Sequence, residues 1–144
     1  MGAWGNGPFE NDDALDLVGD LDNSRGPLAV ELRRVLEPDR VPRPGLLARL
    51  LRRQPEGESD GANDFTVVAA AGVVAAALGL DVDNLQVTSL LARKPLAVST
   101  ELRAAAKAAL DRATGSDSEW FELWQESGEL DETQAETGRI RQIL

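Results

Sequence analysis

The side chains best placed to do chemistry in this sequence are carboxylates. Glu10, Asp12, Asp13, Asp16, Asp20 and Asp22 crowd a stretch that holds no base. On a helix, Asp12 and Asp16 lie one turn apart on the same face, and Asp13, Asp16 and Asp20 form another such row. Like charges so placed repel by roughly a few tenths of a kcal/mol per pair, so something should offset them. A divalent cation on Asp12, Asp16 and Asp20 would do so and would suit a metal-dependent enzyme. An arginine from the middle of the chain would do so as well. The simpler account needs no metal. Asn11 caps the helix, Asp12 and Asp13 favour its positive end, and Asp16 pairs with an arginine.

A second metal pattern overlaps the first. Asp20, Asp22, Ser24 and Glu31 stand at positions one, three, five and twelve of an EF-hand loop. The sixth position requires a turn glycine, and it is Arg25. Gly26 comes one residue late and Pro27 follows it. Helix capping explains the same residues without calcium.

Other chemistries are excluded by what the chain lacks. It has no cysteine, histidine or tyrosine. That rules out a Ser-His-Asp triad, a Cys-His pair, His-ligated zinc and an imidazole acid or base. Gly2, Gly5 and Gly7 form no phosphate loop, because no Lys-Ser or Lys-Thr follows them. Catalysis would therefore rest on carboxylates, on Lys94 and Lys107, or on a bound metal. No catalytic residue or cofactor site is assigned, and a non-enzymatic role is the expectation.

The aromatic residues suggest a different use. Trp4, Phe9, Trp120, Phe121 and Trp124 cluster at the two ends of a chain with few aromatics, which suggests that the ends meet. Core packing accounts for most of them. A helix cannot bury Trp120, Phe121, Leu123 and Trp124 on one narrow side, so one of them could anchor a partner. The candidates for partner binding are Trp4, Asn11, Asp12, Asp16, Trp120 and Trp124.

Net charge is −10. It repels nucleic acid and anionic membranes and favours a basic protein partner. The charge is uneven: residues 25–53 hold eight arginines against three acids, and residues 117–136 hold eight acids and no base. A homodimer is also compatible with the composition. The absence of cysteine and of a secretory signal points to the cytoplasm.

The elements that must position these residues are helices. Residues 65–78 carry no charge, and Thr66 is the only one with a polar side chain. A helix that is apolar on every side has to be surrounded, and this one is shorter than the ~20 residues that a membrane span needs. Asn63 or Asp64 is expected to cap it and Gly79 to end it. A first helix opens at Asn11, with Ala14, Leu15, Val18 and Leu21 facing inward. A second starts at Pro27 and buries Leu28, Leu32, Val35 and Leu36. Residues 38–45 read as a stiff loop, Leu46–Leu51 as a short helix, and 54–63 as a mobile loop. Asp83 is expected to cap a helix through Leu85, Leu90 and Leu91. Ser99 or Thr100 starts one that buries Leu102, Ala106, Ala109, Leu110 and Ala113. Ser116 and Glu119 form a capping box for the next, Ser127-Gly128 breaks it, and a last helix runs from about Asp131. No stretch alternates as a strand does. The expectation is an all-α single domain over 1–144, an irregular bundle of six or seven short helices around 65–78.

The opening, Met1-Gly-Ala-Trp-Gly-Asn-Gly-Pro-Phe-Glu-Asn-Asp-Asp-Ala-Leu-Asp16, resembles that of a bacterial family of uncharacterised proteins. Its members begin Gly-x-Trp-Gly and continue Phe-x-Asn-Asp-x-Ala-x-Asp, matched by Gly2, Trp4, Gly5, Phe9, Asn11, Asp12, Ala14 and Asp16. Leu17 stands where the family usually has Trp. An alanine-rich middle helix and a late Ser-Glu-x-x-x-Leu-Trp segment are echoed here, the latter by Ser118, Glu119, Leu123 and Trp124. The resemblance implies a compact bacterial cytoplasmic domain of unknown function and supplies no activity.

Overall fold

The apolar run at 65–78 lies at the centre of a helical bundle. A computed structural model describes residues 9–37, 64–82 and 84–144. Among them are no strand and seven helices: α1 (Asp12–Asn23), α2 (Leu28–Leu36), α3 (Asp64–Ala77), α4 (Leu85–Arg93), α5 (Thr100–Ala113), α6 (Glu119–Ser127) and α7 (Leu130–Ile143). The expected loops at 38–45 and 54–63, the short helix at Leu46–Leu51 and Trp4 lie outside the described residues.

Helix α3 touches each of the other six, and α5 most extensively. From Phe65 to Ala75 every residue is buried except Val67, which is half-buried. Both partners in the main contact bury alanines, among them Ala69, Ala70 and Ala71 on α3 and Ala106 and Ala109 on α5. Short side chains let two helix axes come close, which is why this pair can share so much surface. Gly79 ends α3 as its sequence suggests. It takes φ +113°, its N–H reaches Ala76 O, and Leu80 N–H reaches Ala75 O, so two terminal carbonyls are satisfied.

The two ends of the described chain meet on α3. The ring of Phe9 lies over Gly72, beside Ile140 of α7. A Cβ on Gly72 would stand 2.8 Å from Phe9 Cζ, so only glycine lets the ring lie there.

Several helix faces and caps differ from the expected ones. In α1 the buried residues are Ala14, Leu17, Val18 and Leu21, with Leu17 in place of Leu15. Pro27 stands just before α2, not within it. Asn84, not Asp83, caps α4, its Oδ1 accepting from Val87 N. At about 100° per residue, Leu85 lies roughly 160° around the helix from Val87 and 140° from Leu90. It is therefore 84% exposed, while Val87 and Leu90 are buried. Ser99 caps α5 through Leu102 N, and the expected inner face is buried with Ala105 added. For α6 the capping residue is Ser118, whose Oγ accepts from Phe121 N, so the box between Ser116 and Glu119 does not form. Gly128 closes α6 at φ +82°, with Glu129 N–H on Trp124 O.

Candidate functional site

Helix α1 is fixed at its start by Asn11. The side chain is buried and its Oδ1 accepts from Ala14 N at 2.8 Å. Asn11 is thus a structural cap, and its amide is not offered to a partner. The cap and the inward stripe of Ala14, Leu17, Val18 and Leu21 turn Asp12, Asp16 and Asp20 outward. At four-residue spacing these carboxylates mark a line of about 12 Å on the surface. All three are exposed, and none has a hydrogen bond or ion pair among the described residues. The arginine partner expected for Asp16 is not among them. No three or more carboxylates come together as a metal site among the described residues either.

The turn from α1 to α2, which resembled a calcium loop in spacing, holds a cation of the protein's own. Lys94, at the end of α4, donates through Nζ to Leu21 O at 2.7 Å and Ser24 O at 2.5 Å. Arg93 pairs with Asp22 at 2.7 Å, Glu31 pairs with Arg34 at 3.0 Å, and Ser24 Oγ accepts from Gly26 N. Three of the four residues in the EF-hand spacing are therefore engaged within the protein, and Asp20 points to solvent. The physical reason is the helix end itself. The last carbonyls of α1 lack intrahelical partners and carry partial negative charge, and an ammonium satisfies both needs.

The same arrangement recurs at other helix ends. Arg103 of α5 donates to Leu144 O at 2.6 Å and Ile143 O at 3.0 Å, beyond α7 and at its last residue. Arg112 donates to Leu36 O at the end of α2. Arg33 pairs with Glu37 and Arg139 with Glu136, while Arg141 bonds Asp111 and Thr114 Oγ1. Among the described cations, only Arg25 and Lys107 lack such a contact.

The acids are treated differently. Asp117, Glu119, Glu122, Glu126, Glu129 and Asp131 are all exposed, and their carboxylates have no ion pair among the described residues. The fold thus spends most of its described positive charge on its own helix ends and internal pairs. It leaves the α1 stripe and the acids in and around α6 facing water.

The aromatic candidates are in the core. Trp120 is 2% exposed and Trp124 6%, so neither is available as a surface anchor. The wide apolar side of α6 is accommodated by leaving Phe121 and Leu123 half-buried at its margins. Trp124 Nε1 is buried without an acceptor among the described residues.

Over residues 2–136 the sequence matches the family model described as Domain of unknown function (DUF4259). The chain belongs to that family. No curated protein and no solved structure matches it. The family match spans α1 to α6 and the first half of α7, so it contains the α1 stripe, the Lys94 clamp and the acids in and around α6. Membership brings no substrate or partner, and the chemistry has to be read from the charges themselves. From the sequence, Lys94 is only one of a few groups that could take part in catalysis. Its contact with Leu21 and Ser24 joins residues about seventy positions apart, and no local pattern marks it.

Proposed function

We propose that this chain is a non-enzymatic protein-interaction module that docks a basic partner protein on its acidic surface. The Asp12, Asp16 and Asp20 stripe of α1 is the principal contact. One observation carries the reading: most described cations are turned onto helix ends and internal pairs, while this stripe has no counter-charge among the described residues. Unbalanced carboxylates on a rigid helix steer a cationic partner and select against acidic ones. The setting that fits best is the bacterial cytoplasm, with an immunity-type or regulatory role. No helix among the described residues is long and apolar enough to cross a membrane, which is compatible with that setting.

The test compares the wild type with an Asp12→Asn, Asp16→Asn, Asp20→Asn variant, each immobilised and exposed to bacterial lysate. The wild type should retain a basic protein at low salt and release it as salt rises, because exposed charges are screened. The variant should retain much less of that protein. Equal retention by both, or a retained protein with no basic surface, would sink the proposal.

A further inference from the structure

We draw no further inference here: the strongest candidate, the open groove of about 380 Å³ between the α1–α2 turn and residues 94–97, rests on the N-terminus of α2 with the exposed Arg25 beside it, and its other charged group, Lys94, is already engaged on the carbonyls of Leu21 and Ser24.

Discussion

The carboxylate of Asp64, the first residue of α3, accepts from the backbone amides of Glu119 at 2.9 Å and Trp120 at 3.3 Å, and so closes the start of α6 fifty-five residues away. Ser118 takes a third amide of that turn, Phe121 N. The acid also lies at the positive end of the α6 dipole. Asp64→Ala should therefore destabilise by about 1–2 kcal/mol, the usual cost of losing a capping acceptor. Asp64→Asn should cost less, since its amide oxygen still accepts. Urea unfolding of both variants checks this. If Asp64→Ala matches the wild type, the bond to α6 contributes nothing to stability.

The Asp64 contact marks where sequence reasoning stops. The apolar run at 65–78 could be recognised as central because no side of it could face water. The inner face of α5 followed from helical spacing, as did Leu28, Leu32 and Leu36 of α2, whereas Val35 is only half-buried at the margin; Gly79 and Gly128 followed from the need for a left-handed residue after a helix. The caps were less legible. Asp64 could be read only as a local cap for α3, because helix signals are local and this bond is not. Ser118 and Asn84 took the places of Ser116 and Asp83, shifts of one or two residues that only the bundle decides. Leu85 looked like a core residue because its type was right, yet it lies opposite the buried side of its helix. As for the candidate site, the exposed row at Asp12, Asp16 and Asp20 was visible from spacing alone. That no arginine among the described residues would meet it was not, because most of the described cations are held by helix ends and by acids elsewhere in the fold.

Lys94 and Arg93 are neighbours that should differ sharply when removed. Lys94 is half-buried and satisfies two carbonyls where α1 gives way to its turn. Lys94→Met keeps most of the aliphatic length and removes the ammonium, and it should cost about 1–3 kcal/mol, in line with charged hydrogen bonds and a stranded acceptor. The Arg93–Asp22 pair is more than one-third exposed on both sides. Arg93→Ala should therefore cost less than about 1 kcal/mol, and less still in high salt. Denaturant titrations at two salt concentrations separate the two variants. A Lys94→Met protein as stable as the wild type would mean that water serves those carbonyls equally well.

The seat of Phe9 on Gly72 predicts a coupled pair. Gly72→Ala places a methyl 2.8 Å from the ring and must displace it, for a cost of about 1–3 kcal/mol despite the better helix propensity of alanine. Phe9→Ala alone should cost roughly 3–5 kcal/mol. With the ring gone the new methyl has room, so the double variant should be more stable than the sum of the singles implies. Strict additivity in chemical unfolding would show that the ring does not rest on residue 72.

Leu85 and Leu90 belong to the same helix, and residue type alone would bury both. In the fold one is exposed and the other has no accessible surface. Leu85→Gln should change stability by no more than about 0.5 kcal/mol, as surface changes usually do. Leu90→Ala should lose about 2–5 kcal/mol through lost burial and the cavity it leaves. Thermal melts of the two variants test the register of α4 directly. A large loss at Leu85 would place it against something, and the exposed side of α4 would have to be redrawn.

The acidic stripe makes a prediction about stability that is independent of any partner. Asp16 and Asp20 are four residues apart, exposed and without a described counter-charge, so each destabilises the other by roughly a few tenths of a kcal/mol. Asp20 also lies in the C-terminal half of α1, where the helix dipole disfavours negative charge. Asp16→Asn with Asp20→Asn should therefore leave the protein as stable as before or slightly more so at low salt, and the gain should fade as salt screens the wild-type repulsion. Asp12 differs, since it lies in the first turn and gains from the dipole. Adding Asp12→Asn should remove about 0.3–1 kcal/mol and bring the triple variant back near the wild type. Melts at low and high salt measure each step. If the Asp16 and Asp20 double variant were instead destabilised by more than about 1 kcal/mol, beyond the usual surface range, those carboxylates would be holding the fold together. They would then not be free for a basic partner, and loss of binding in the triple variant could no longer be assigned to the charge of the stripe.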